Sequence, residues 1–129
     1  MNKLTKILYA EDEPDIREIA TLALESIGGL EVATCSTGAQ VIDLAIDFQP
    51  QLILLDVMMP EMDGPTTLEA LKKHDALNSI PVIFLTAKIL ADEIDRFKSL
   101  GAIEVISKPF DPLTLADQIK QKWSHFNEQ

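Results

Sequence analysis

Asp56 follows the unbroken apolar run Leu52-Ile53-Leu54-Leu55, and a carboxylate placed there can act as a nucleophile, a metal ligand or a proton carrier. The same event recurs along the chain. Ile7-Leu8-Tyr9-Ala10 ends in Glu11 and Asp12, Val82-Ile83-Phe84-Leu85 ends in Thr86, and Ile103-Glu104-Val105-Ile106 is followed by Ser107 and Lys108. Short continuous apolar runs of this kind read as strands buried on both faces. In an open parallel sheet the carboxyl ends of the strands line the ligand crevice. Three acids, one hydroxyl and one amine are therefore expected to converge on one sheet edge.

The electrostatics of that convergence restrict its chemistry. Two like unit charges about 4 Å apart repel by about 4 kcal/mol at an effective dielectric of about 20. Glu11, Asp12 and Asp56 facing the single cation Lys108 must bind either a proton or a cation. Oxygen donors without histidine or cysteine select a hard ion, Mg²⁺ ahead of Ca²⁺, because nothing here has the spacing of a calcium loop. With a divalent ion and Lys108 the local charge falls near zero, and a phosphoryl group becomes tolerable beside the acids. Asp56 is then expected to be the nucleophile, forming an aspartyl-phosphate. Lys108 would pair with one phosphoryl oxygen and Thr86 would donate a hydroxyl hydrogen bond to another. Taken singly, Asp12 reads as a helix cap, Thr86 as an ordinary strand end and Lys108 as a surface lysine. Four polar strand ends in matching register favour a site.

The elements that must position these groups follow from periodicity. Five strand-like runs alternate with five helix-like segments, which predicts an α/β fold built on a parallel sheet. The first helix is expected to begin near Pro14, with Ile16, Ile19, Ala20, Ala23 and Ile27 inward, and to end at Gly28-Gly29. The second strand is expected over Leu30 to Thr34. Ser36 or Thr37 is expected to cap a second helix with Val41, Leu44, Ala45 and Phe48 inward. A turn-rich loop from Met59 to Pro65 precedes a third helix carrying Leu68 and Leu71 and ending near His74. The fourth helix is expected over about Ile89 to Leu100, anchored by Ile94 and Phe97 and stopped by Gly101. Asp111-Pro112 signals the fifth, with Leu115, Ala116, Ile119, Trp123 and Phe126 inward. His74 and His125 fall at helix ends and read as surface groups.

The 129 residues suit one domain, 1–129, with a substantial core, and the 47% hydrophobic content argues against disorder. Eleven basic against twenty-one acidic side chains leave a net charge of −10, which disfavours direct contact with nucleic acid. A bilayer-spanning apolar stretch and a signal-like N-terminus are both lacking, and the single Cys35 cannot form an internal disulfide. A cytoplasmic protein is expected.

Taken together, Glu11-Asp12, Asp56 followed by Met59-Pro60 and Asp63-Gly64, Thr86-Ala87 and Lys108-Pro109-Phe110 resemble the receiver domain of bacterial two-component response regulators. The resemblance extends over essentially the whole chain. It implies a flavodoxin-like, doubly wound, five-stranded parallel sheet of order 2-1-3-4-5 with helices on both faces. It implies that Asp56 accepts a phosphoryl group from a phosphohistidine on a sensor histidine kinase or histidine phosphotransfer protein. It implies Mg²⁺ held by Asp12, Asp56 and the backbone carbonyl of Met58, with Glu11 acting through water, and Thr86 and Lys108 on the phosphoryl oxygens. A cis Lys108-Pro109 bond is also implied. The output would pass to a downstream protein through helix 4, strand 5 and helix 5, where Lys88, Asp92, Glu93, Arg96, Glu104 and Gln118 are exposed candidates. Met58 and Lys88 would flank the phosphorylation site and tune its lifetime. One departure stands out: Val105 occupies the place where receivers commonly carry Tyr or Phe, so the aromatic relay is expected to be absent or replaced. The protein is expected to be a stand-alone phosphoacceptor rather than a turnover enzyme. The alternatives are a receiver cut from a larger hybrid kinase or DNA-binding regulator, and an aspartyl-phosphate phosphatase. The last is disfavoured because Met58 stands where such enzymes place a second acid.

Overall fold

The computed structural model describes residues 3–87 and 90–128. The four runs ending in polar residues do form strands: β1 (Lys6–Ala10), β3 (Leu52–Asp56), β4 (Val82–Thr86) and β5 (Glu104–Ser107). With β2 (Glu31–Cys35) they make one parallel sheet of order β2-β1-β3-β4-β5, as expected. The order reverses between β1 and β3, so the carboxyl ends of these two strands open onto the crevice where ligands bind in such sheets. Every residue of β3 and β4 is buried, consistent with helices covering both faces.

Strand alternation divides the core in two. Ile7, Tyr9, Leu52, Leu54, Ile83 and Leu85 pack under α1 (Pro14–Leu22) and α5 (Leu115–Asn127). Leu8, Ala10, Ile53, Leu55, Val82 and Phe84 pack under α2 (Val41–Phe48), α3 (Gly64–Lys73) and α4 (Ala91–Leu100). The same alternation carries Glu11 and Asp56 to the α1/α5 side at the strand ends.

Several local expectations are corrected. Helix α1 passes into a wider turn over Ala23–Ile27, closed by the Leu30 N–H donating to the Leu24 carbonyl. The extra residue per turn rotates Leu24 into the core and leaves Ile27 exposed, and Ile19 is 50% exposed rather than inward. The same closure delays β2 by one residue, to Glu31–Cys35. Before α2, Thr37 precedes a tight turn over Gly38–Gln40 and makes no capping side-chain bond among the described residues. Gln40 Oε1 instead accepts from the Ser36 N–H at 3.1 Å. Asp111 caps a turn through the Leu113 N–H at 2.9 Å, so the regular α5 starts later, at Leu115, and Phe126 stays exposed. Glu93 and Glu104 are half-buried rather than exposed. Lys88 and the expected start of the fourth helix at Ile89 lie outside the described residues.

Candidate functional site

At the end of β1, Glu11 is fully buried, and at the end of β3, Asp56 is 3% exposed. Asp12 is half-buried beside them. One carboxylate oxygen from each of Glu11, Asp12 and Asp56 lies within 4.8 Å of the others. Lys108, whose side chain is 9% exposed, reaches in from the end of β5. Its Nζ lies 2.9 Å from Glu11 Oε1, 3.1 Å from Glu11 Oε2 and 3.1 Å from Asp56 Oδ1. The backbone ties this amine to the fourth strand end, because the Lys108 N–H donates to the Thr86 carbonyl at 2.8 Å. Thr86 itself is buried at the end of β4. The Lys108-Pro109 peptide is cis, as expected.

Local sequence explains the placement. Asp12 is not the cap of α1: Glu13 holds that position and Pro14 opens the helix, which leaves Asp12 directed to the crevice. The loop after β3 is pinned by the Val57 N–H donating to the Leu85 carbonyl and the Gly64 N–H donating to the Val57 carbonyl, both at 2.9 Å. Asp63 caps α3 by accepting from the Thr66 N–H at 2.9 Å. Gly64 is required there by proximity, since a Cβ would come within 2.8 Å of the Asp56 carbonyl oxygen. Gly38 is pressed against the same loop, where a Cβ would collide with the Met62 carbonyl oxygen. Met58 stands at the mouth with its side chain 76% exposed.

The charges are unbalanced. Burial pushes the Asp56 carboxyl up to about 8, helped by its hydrogen bond to Glu11 and the Glu11 charge, while Lys108 pulls the other way. Burial acts to lower Lys108, but Glu11 and Asp56 outweigh it and raise its pKa, so the amine is cationic. Two groups not singled out from the sequence complete the site. The Tyr9 hydroxyl donates to Glu11 Oε1 at 3.1 Å, and Arg17 Nη1 donates to the Glu11 backbone carbonyl at 2.7 Å. Tyr9 was legible in principle: residues two apart on a strand share a face, and Tyr9 stands two before Glu11.

A cavity of about 750 Å³ opens over Asp12, Asp56 and Lys108, walled by Ile16, Ile19 and Phe110. The acidic floor thus meets an apolar rim. Val105, in the place where an aromatic was expected, pairs with Phe84 across the sheet and packs half-buried in the α2/α3/α4 core. Aromatic contact occurs one strand over, where Phe84 and Phe97 meet edge to face at 5.0 Å.

A doubly wound α/β protein with an acid-and-lysine crevice at its sheet reversal is the class that fold and site define. Comparison with known proteins is specific: residues 7–120 match the response regulator receiver domain, and the chain belongs to that family of two-component signalling domains. It is 37% identical to the DNA-binding dual master transcriptional regulator RpaA of Synechocystis sp. over 84% of this chain and 44% of that protein. It is also 37% identical to the phosphate regulon transcriptional regulatory protein PhoB of Pseudomonas aeruginosa, over 88% of this chain and 49% of that one. The chain therefore spans about half the length of these curated relatives. Among solved structures, the chemotaxis response regulator CheY4 of Vibrio cholerae superposes with a TM-score of 0.85 at 27% identity, covering 92% of this chain and 98% of that one. The signal receiver domain of a histidine kinase from Syntrophus aciditrophicus gives 0.82 at 32% identity, with 97% and 94% covered. Among the described residues no helix is long and apolar enough to cross a membrane.

Proposed function

We propose that this chain is one receiver unit, 1–129, in which Asp56 accepts a phosphoryl group from a phosphohistidine of a sensor histidine kinase or histidine phosphotransfer protein. The observation that carries this reading is the meeting of three carboxylates from β1 and β3 with Lys108 from β5. Asp56 Oδ attacks phosphorus, the P–N bond to the donor imidazole breaks, and its electron pair leaves on the imidazole nitrogen. Lys108 needs only to turn from Asp56 to a phosphoryl oxygen, and Thr86 supplies a hydroxyl at the adjoining strand end. The apolar rim of Ile16, Ile19 and Phe110 surrounds the path by which a donor must approach and limits water at the acyl phosphate.

The donor set suits a divalent cation: three carboxylates crowded within 4.8 Å and one ammonium leave an excess of negative charge in a buried place. Asp12, Asp56 and the Met58 carbonyl would hold Mg²⁺, with Glu11 acting through water. When bound, the ion supplies neutralisation of charge on the transferring oxygens. The readout surface is α4, β5 and α5, where Asp92, Arg96 and Gln118 are exposed to a protein target. The acidic surface keeps this unit off nucleic acid and membranes, and a cytoplasmic setting fits a kinase donor. RpaA and PhoB favour a second reading, in which a receiver of this type controls a DNA-binding region.

Incubation with phosphoramidate and Mg²⁺ is expected to add one phosphoryl group, detected by intact mass, and Asp56→Asn to accept none. A label that persists on Asp56→Asn would remove Asp56 from the role.

A further inference from the structure

Glu11 is the most enclosed carboxylate of the site, and two very different side chains hold it, beside a longer contact at 3.4 Å from the Glu13 N–H to its Oε2. Lys108 reaches it with an ammonium on a flexible four-carbon stem, at 2.9 and 3.1 Å. Tyr9 reaches it with a hydroxyl at 3.1 Å on a ring that is wholly buried in the α1/α5 core. Nothing in the phosphoryl transfer described above uses this phenol. The ring cannot swing without opening the core, whereas the lysine can turn.

The difference matters when Asp56 carries a phosphoryl group. The charge at that position then goes from −1 to about −2, and Lys108 is drawn toward the new oxygens. Glu11 loses its ammonium partner while its side chain remains enclosed. A buried carboxylate held only by the long contact from the Glu13 N–H would be free to turn away. The Tyr9 hydroxyl cannot leave, so Glu11 Oε1 stays anchored while Oε2, with only the long Glu13 N–H contact, remains presented to the crevice. The Arg17 guanidinium restrains the same residue from its backbone side, through the Glu11 carbonyl at 2.7 Å.

We infer that Tyr9 is a positioning residue that keeps the Glu11 carboxylate aimed at the cation position, before and after Lys108 departs. This rests on the reading of Glu11, Asp12 and Asp56 as the Mg²⁺ site. Partners that orient the groups around a metal typically change its affinity by tenfold or more when removed.

Tyr9 is the single tyrosine of the chain, so a protein labelled with ¹³C at the tyrosine ζ carbon gives one signal that belongs to it. Calorimetric titration of Mg²⁺ into wild type and Tyr9→Phe, with the melting temperature of each, separates positioning from packing, since phenylalanine keeps the ring. The expected result is about tenfold weaker Mg²⁺ binding by Tyr9→Phe with little change in melting temperature. In wild type the tyrosine signal is expected to shift with the calorimetric midpoint, and again on adding beryllofluoride as a phosphoryl mimic. Wild-type Mg²⁺ affinity in Tyr9→Phe overturns the inference and leaves the metal site standing. If the variant does not fold, a wild-type tyrosine signal that stays fixed through Mg²⁺ saturation overturns it equally. Absence of Mg²⁺ binding by wild type overturns both readings together.

Discussion

The protein contains two clusters in which lysine meets carboxylate, and they are built in opposite ways. At the crevice one lysine serves Glu11 and Asp56, with Asp12 alongside, and every contacting side chain is nearly or fully enclosed. On the α4/β5/α5 face two lysines serve one acid: Glu104 lies 2.9 Å from Lys122 and 3.5 Å from Lys98, and both lysines are about half exposed, at 50% and 48%. The consequences run in opposite directions. Burial, then Glu11, push Asp56 up to about 8. Burial also acts to raise Glu104, but the hydrogen bond from Lys122, the Val105 N–H and the two lysine charges hold it below the ordinary carboxylate range. The first cluster holds more acids than its one lysine offsets, whereas the single acid of the second has two lysines. Charge balance and burial, rather than residue type, separate a site from a clamp.

The largest effect expected from breaking this contrast is at Lys108. Lys108→Met should cost about 3–5 kcal/mol in urea unfolding at pH 8 with chelator present, because two buried acids lose their ammonium. The loss should shrink as pH falls and Asp56 takes up a proton. A loss below about 1 kcal/mol would show that water already relieves the crevice, and the contrast with Glu104 would disappear.

Next in size is the pH dependence of Asp56. Its folded pKa lies above its unfolded one, so its contribution to stability is fully present below the ordinary aspartate value and is lost as pH rises through about 8. Asp56→Asn lacks that loss. In metal-free protein the stability of Asp56→Asn relative to wild type should therefore grow with pH, reaching on the order of 3 kcal/mol above about pH 8. Saturating Mg²⁺ should abolish much of the difference by stabilising wild type. A pH-independent difference would mean that Asp56 is not charge-stressed.

The smallest effect belongs to the second cluster. Glu104→Gln should cost less than about 1 kcal/mol at pH 7. The sign of its pH dependence is opposite: because the Glu104 pKa is depressed, its contribution is present above the unfolded value and is lost as pH falls through the folded one. Added salt should reduce that small cost further, a measurement that sharpens the contrast because the enclosed crevice is screened much less.

Much of this was legible in the chain. Runs such as Leu52–Leu55 are too short for helices and too apolar for one exposed face, so strand type and the location of Asp56 followed from pattern alone. Helix stops at Gly101 and near His74 were legible because local backbone chemistry decides them. The exposure of Ile27 was not, because the wider turn at Ala23–Ile27 changes the helical period, and periodicity assumes a constant one. Ile19 is exposed because it lines the crevice cavity rather than the core. Phe126 was misplaced for a related reason: near the end of α5 the helix runs past the core that an inward stripe presupposes.

Residue order by itself determined which groups stand at strand ends, and hence the sign, the type and the approximate company of the chemistry. Only the folded arrangement decided the distances: that Lys108 lies between Glu11 and Asp56, that Asp12 turns to the crevice instead of capping α1, and that Tyr9 braces Glu11 from within the core. The reason is range. Strand and helix signals act over a few neighbouring residues, whereas the balance of charge in the crevice depends on side chains from β1, β3 and β5 that meet only when the sheet has formed.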